Sequence, residues 1–174
     1  MTTPRRSSRA VIAGFVGAIL LAGVWAAASA LRESPRDDGV PAGAVAYTVD
    51  RVVDGDTLVA RAGGEKIRVR LIGIDTPEAR PEPECGADAA TARLRELAPE
   101  GDRIWATADR ELRDRYDREL RYLWTADGVF INETLVTEGH AEGLRIPPNT
   151  RYSAQFADAE SAAREARAGR WGAC

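Results

Sequence analysis

Five side chains in the middle of the sequence could together handle a phosphodiester: Asp56 in VVDGDTL (52–58), Arg70, Asp75 and Glu78 in RVRLIGIDTPE (68–78), and Arg118 in DRYDREL (114–120). Two converging carboxylates, completed by backbone carbonyls and water, make a hard oxygen site that suits Ca²⁺ or Mg²⁺ and not zinc. Two guanidiniums facing such a cation suit a phosphate, because arginine grips phosphate oxygens bidentately and stays charged. A glutamate just past one of the carboxylates can orient or deprotonate a water. Taken singly, each motif has an ordinary explanation. Asp-Gly-Asp is common turn chemistry, Thr-Pro is a turn, and a charged strand is often simply solvated. Their combination is what asks for a shared site.

Such a site needs elements to assemble it. From Ala46 the sequence reads as β-rich: AYTVDRVV (46–53), a DGDT turn (54–57), TLVARA (57–62), a Gly63-Gly64 hairpin signal and EKIRVRLIGI (65–74). RIWATAD (103–109) and RELRYLWT (118–125) read as two more strands. Helices are expected over 87–98, from the spacing of Ala87, Ala90, Leu94 and Leu97, and over 132–139, with Asn132 as N-cap and Gly139 as stop. A third runs from Ser153 to Ala168, before Gly169. The pattern suits an α+β, mainly β fold, an OB-type five-stranded barrel with three helices. An open sheet with helices on one face is the alternative. Asp56 then opens one strand and Asp75 ends the next. On a flat strand Arg70 and Asp75 point to opposite faces, so a bulge or sharp bend at Gly73 is expected to bring both to one mouth of the barrel.

The remainder of the chain sets the context. Arg5, Arg6 and Arg9 (within a basic segment, 1–10) precede an uncharged run from Val11 to Leu31. The run is long enough for a membrane-spanning helix, which takes roughly 20 residues. Ala28-Ser29-Ala30 also offers a signal-peptide cleavage site, and the length favours an uncleaved anchor. Either way the rest of the chain is expected outside the cytoplasm, membrane-anchored or secreted. A Pro- and Gly-rich linker (32–43) leads to one domain, 44–174. Setting aside the five basic and three acidic residues of positions 1–43, from totals of 24 and 27, leaves 19 basic and 24 acidic residues. Binding to nucleic acid must therefore rest on a few placed arginines and not on bulk charge. Cys85 and Cys174, an even count in an exported domain, are expected to pair.

The motifs VVDGDTL, RLIGIDTPE, DRYDREL with Tyr122, INETLVTEG, PPNTRY and the closing GRWG occur in the order and near the spacings of the staphylococcal nuclease (thermonuclease) family, which the chain resembles over about residues 45–173. The resemblance implies an OB barrel with three helices. It implies calcium held by Asp56, Asp75 and the backbone carbonyl of Thr76, and a phosphate held by Arg70 and Arg118. Glu78 matches the glutamate that abstracts a proton from water or positions it. The implied reaction is cleavage of DNA and RNA at the 5′-oxygen–phosphorus bond, leaving 3′-phosphates. The expected partners are those nucleic acids, and the membrane if the N-terminal helix is kept; the domain is expected to act as a monomer.

The chain departs from the family pattern in two places. Asp117 and Glu119 flank Arg118 where the family carries glycines, and would repel a phosphate unless Arg115 and Arg121 pair with them or they face solvent. Strand alternation favours solvent. Gly143 and Arg145 stand near the positions of the family's stacking tyrosines. Base stacking is worth roughly 1–3 kcal/mol per base, so weaker binding or a changed base preference is expected, with Arg115 and Tyr116 as the remaining substrate-binding pair. His140, the one histidine, reads as a surface or rim residue, and Trp105, Trp124 and Trp171 read as packing.

Overall fold

A computed structural model describes residues 39–174. The expected basic segment, the hydrophobic helix and most of the linker lie outside the described residues. Among those described, no helix is long and apolar enough to cross a membrane.

The alternating pattern of β1 (Val45–Val52) buries Tyr47 and Val49. A tight turn leads to β2 (Thr57–Ala62), whose first four residues are all buried. β2 pairs along its whole length with β3 (Glu65–Leu71). With β4 (Ile74–Asp75), β5 (Arg103–Thr107), β6 (Glu119–Trp124) and β7 (Glu142–Gly143), the strands form a closed barrel in the order β1-β2-β3-β6-β5 and a small β4-β7 pair. β5 closes the barrel against β1, and β3 runs parallel to β6. Closure leaves the barrel without the free edges that invite aggregation.

Three helices cover the barrel: α1 (Ala87–Leu97), α2 (Ile131–Thr137) and α3 (Ser153–Glu165), followed by the one-turn α4 (Arg170–Ala173). α1 buries Ala87, Ala90, Thr91 and Leu94, one stripe at helical spacing. Inside, Leu58, Val69, Leu71, Ile104 and Leu123 meet Leu135 of α2 and Phe156 of α3 in one core. An aromatic cluster joins β6 to α2 and α3: Trp124 stacks on Phe130 at 4.5 Å, and Tyr122 meets Tyr152 edge-on at 4.6 Å.

Three readings of the sequence need correction. The third strand does not run on to Ile74; it stops at Leu71, and the chain turns at Ile72-Gly73 before β4. Gly73 has φ of +81°, and a Cβ there would lie 2.5 Å from Phe156 Cε2, so both backbone and packing demand glycine. Asn132 is not a cap, since Phe130 occupies that position. Its side chain is fully buried, donating from Nδ2 to the Ile72 carbonyl at 2.9 Å and accepting the Leu123 N–H at 2.9 Å. It satisfies backbone groups of two segments at the point where the chain leaves β3. Finally, Arg118 lies just before β6, not on it.

Candidate active site

Strand register decides what surrounds Arg70. On one side Thr57 of β2 is its partner, which places Asp56 beside it; on the other Leu120 of β6 is its partner, which brings Arg118 near. The turn at Gly73 returns the chain, so the Arg70 and Asp75 side chains meet: Arg70 Nη2 donates to Asp75 Oδ1 at 2.8 Å. Arg70 Nη1 forms an ion pair with Asp56 Oδ2. One guanidinium therefore spans both carboxylates, where the sequence reading had it facing a phosphate. The same Asp56 oxygen accepts the Thr76 N–H at 3.2 Å and its hydroxyl at 3.0 Å, tying the segment after β4 to the β1–β2 turn. Gly55 permits that approach, because a Cβ there would be 2.7 Å from Thr76 Oγ1.

Asp56 is only 7 % exposed. Burial pushes its carboxyl up to about 6, against the pull of Arg70; Asp54 adds to the rise, while hydrogen bonds from Thr76 and Thr57 oppose it. Asp56 and Asp75 reach the two terminal nitrogens of one guanidinium, so they face the same small space. Their donors are all oxygen, which fits a hard cation. Among the described residues no group of three or more His, Cys, Asp or Glu side chains could hold a metal ion. A cation here would use these two carboxylates with backbone carbonyl and water oxygens.

Arg70 also lines a cavity of about 510 Å³ together with Asp114, Arg115, Tyr116, Arg118 and Leu120. The loop carrying Arg118 is folded around Asp114. Its Oδ1 accepts the N–H groups of Tyr116 and Arg118, both at 2.9 Å, and its Oδ2 accepts Arg118 Nε at 2.7 Å. Burial alone would raise the Asp114 carboxyl, yet these bonds hold it below the usual carboxylate range. Arg115 donates to the Tyr116 hydroxyl at 2.7 Å and lies 4.8 Å from its ring centroid, with Arg118 at 5.6 Å from that ring. Tyr116 is 60 % exposed and lines the cavity.

The acidic neighbours of Arg118 are paired, Glu119 in part by Arg121 as one alternative had it, and both by Arg113, which the sequence reading did not single out. Arg113 reaches Asp117 at 2.8 Å and Glu119 at 3.2 Å. Glu119 also meets Arg121 at 2.8 Å and the Tyr47 hydroxyl at 2.6 Å, so it does not face open solvent. Asp117 adopts φ of 60°, the left-handed conformation for which glycine is the easier choice. Asn149, also passed over, is buried beneath the cavity. Its Oδ1 accepts the N–H groups of Arg110 and Glu111 at 3.0 and 2.8 Å, and its Nδ2 donates to the Glu111 carbonyl. The PPNT motif was the available signal. Where stacking aromatics were missed, the exposed Ile146 and its neighbour Leu144 line the wall.

Glu78 is exposed, three residues beyond Asp75, and is not among the cavity-lining residues. His140 is half-buried in a separate cleft beside Cys85 and Cys174, which the structure joins in a disulfide with Cα atoms 6.0 Å apart.

The profile described as "Staphylococcal nuclease homologue" matches residues 68–173. The chain belongs to the staphylococcal nuclease family. It is 36% identical over 129 residues to a thermonuclease of Staphylococcus intermedius, covering 72% of this chain and 75% of that protein. It is 33% identical over 129 residues to a thermonuclease of Staphylococcus hyicus, with the same coverage. The endonuclease YncB of Bacillus subtilis is 36% identical over 132 residues, which is 73% of this chain and 62% of YncB. In this family member the fold joins Arg70 to Asp56 and Asp75, and Arg70 and Arg118 line one cavity.

Proposed function

We propose that this chain is a calcium-dependent nuclease that hydrolyses phosphodiester bonds of DNA, RNA or both. The observation carrying the reading is that Arg70 contacts Asp56 and Asp75 while lining one cavity with Arg118. Family membership and the thermonuclease and endonuclease relatives support the same class of activity.

In this reading Arg70 and Arg118 grip the non-bridging oxygens of the scissile phosphate and offset the charge that builds on phosphorus. Calcium, held by Asp56, Asp75 and the Thr76 carbonyl, would supply further positive charge and take over the neutralisation of the carboxylates that Arg70 now performs. Glu78 accepts a proton from, or orients, the attacking water in line with the leaving 5′-oxygen, leaving a 3′-phosphate. Asp114 keeps the Arg118 loop folded, while Tyr116 and Arg115 receive a base and its backbone. With no aromatic side chain but Tyr116 lining the cavity among the described residues, substrate contacts are weaker or differently selective. We also place the domain outside the cytoplasm, anchored by residues 11–31 or secreted after their removal. The disulfide supports this, since such bonds persist in oxidising compartments.

The test is cleavage of labelled DNA and RNA in calcium and in chelator, beside Glu78→Gln. Calcium-dependent cutting that the variant loses supports the reading. Retention of nucleic acid without cutting would instead point to a barrel that only binds.

A further inference from the structure

Glu78 sits in a segment, Thr76 to Gly86, with no helix or strand of its own. A water-activating carboxylate on such a segment needs something to hold it, and the structure supplies a closed circuit of contacts. The Glu78 N–H donates to Glu84 Oε2 at 3.0 Å, and the Glu84 N–H donates to the Glu78 carbonyl at 2.9 Å. The next residue, Cys85, is bonded to Cys174. Cys174 in turn is fixed by α4: its N–H donates to the Arg170 carbonyl at 2.9 Å, and the Arg170 N–H donates to the Gly139 carbonyl at 3.0 Å. Arg170 reaches Glu142 at 3.5 Å, and Glu142 is the β7 partner of Asp75. Gly86 completes the packing, because a Cβ there would lie 3.3 Å from Arg170 Cβ and 3.5 Å from Pro77 Cγ. The circuit thus leaves the site at Asp75 and returns to it through Pro77.

We infer that Glu84 and the Cys85–Cys174 disulfide are positioning residues for Glu78, a clasp that sets where its carboxylate stands relative to the bound phosphate. The inference rests on the reading of Glu78 as the group that activates water. The Glu78 carboxylate accepts no hydrogen bond among the described residues, so its placement depends on its backbone. Both cysteines are exposed and border a cleft of about 390 Å³. The clasp is therefore open to reduction by an external dithiol.

The experiment compares the full chain with Glu84→Ala, Glu84→Gln and the paired Cys85→Ser/Cys174→Ser variant, each made both alone and together with Glu78→Gln. Amide exchange at Glu78 and Glu84 reads the clasp without any activity, and barrel amides report whether the fold persists. The expected result is faster exchange in the clasp alone for Glu84→Ala; in the cysteine pair the clasp amides speed up beyond the rise that the lost crosslink causes in the barrel. With it comes a fall in kcat of roughly tenfold to a hundredfold at nearly constant KM, the scale of a misplaced reacting group. Glu84→Gln retains an acceptor and restores most of the rate. In the Glu78→Gln background the clasp variants cause no further loss. Unchanged exchange at Glu78, an unchanged kcat, or equal losses in both backgrounds would overturn the inference. If the cysteine pair does not fold, Glu84→Ala against Glu84→Gln decides alone. A Glu78→Gln chain that cuts as fast as the unaltered one sinks the reading of Glu78, whatever the exchange rates show.

Discussion

Arg70 has two roles that compete for one guanidinium: it neutralises Asp56 and Asp75, and it lines the cavity where a phosphate would sit. Removing it therefore leaves a buried carboxylate unpaired, which is costly in itself, and Arg118 is the cleaner probe of catalysis. Arg118→Ala is expected to lower the cleavage rate by roughly 10²–10³, the range for losing one charge-stabilising donor, with the unfolding temperature changing little. Steady-state kinetics and a melting curve check this together. Asp56 gives a pH prediction. Its folded-state pKa of about 6 lies above the ordinary 3.8, so the native state holds the proton more tightly than the unfolded chain does. Its contribution to the stability of the cation-free fold thus falls as pH rises from about 4 through 6. Denaturant titrations in chelator should show that slope against Asp56→Asn, which lacks it. The convergence of Asp56, Arg70 and Asp75 was legible because residue type and motif spacing announce it. The engagement of Arg70 by both carboxylates was not, since it follows from which strands flank β3.

At the scale of elements, the bend at Gly73 was foreseeable from a glycine inside a strand-like run, and it is what turns a five-residue separation into a 2.8 Å contact. Gly73→Ala meets both a left-handed backbone, costing roughly 1–2 kcal/mol, and the Phe156 ring, an overpacking cost of roughly 1–3 kcal/mol. Denaturant unfolding is expected to show a loss of about 2–5 kcal/mol, together with reduced cleavage because Asp75 shifts from Arg70. Asn132 shows where sequence reasoning stops. An asparagine near a helix start resembles a cap, but here its burial lets it satisfy Ile72 and Leu123, positions distant in sequence. Likewise, strand alternation favoured solvent for Glu119 over the alternative of pairing with Arg121; the structure shows that pairing, and only the folded loop adds Arg113 and Tyr47.

For the whole molecule, closure matters most. The barrel closes through β5 on β1, and the segment of α4 and Cys174 closes on the Glu78 segment through the Cys85–Cys174 bond, 89 residues apart. Replacing both cysteines is expected to lower stability by roughly 2–4 kcal/mol, read by thermal unfolding with and without reductant. The barrel class, its strand count and its three helices could be read from periodicity and turn signals. The β4–β7 pair and the one-turn α4 could not, because elements of two to four residues carry no period of their own. The central claim is spatial: one opening of the barrel gathers a cation between Asp56 and Asp75 and a phosphate between Arg70 and Arg118. The most direct measurement is a crystal structure with calcium and a short oligonucleotide bearing an uncleavable phosphonate linkage. The account predicts calcium on Asp56 and Asp75, with the phosphonate within hydrogen-bond distance of both arginines. Calcium bound elsewhere, or a phosphonate contacting neither Arg70 nor Arg118, would contradict it.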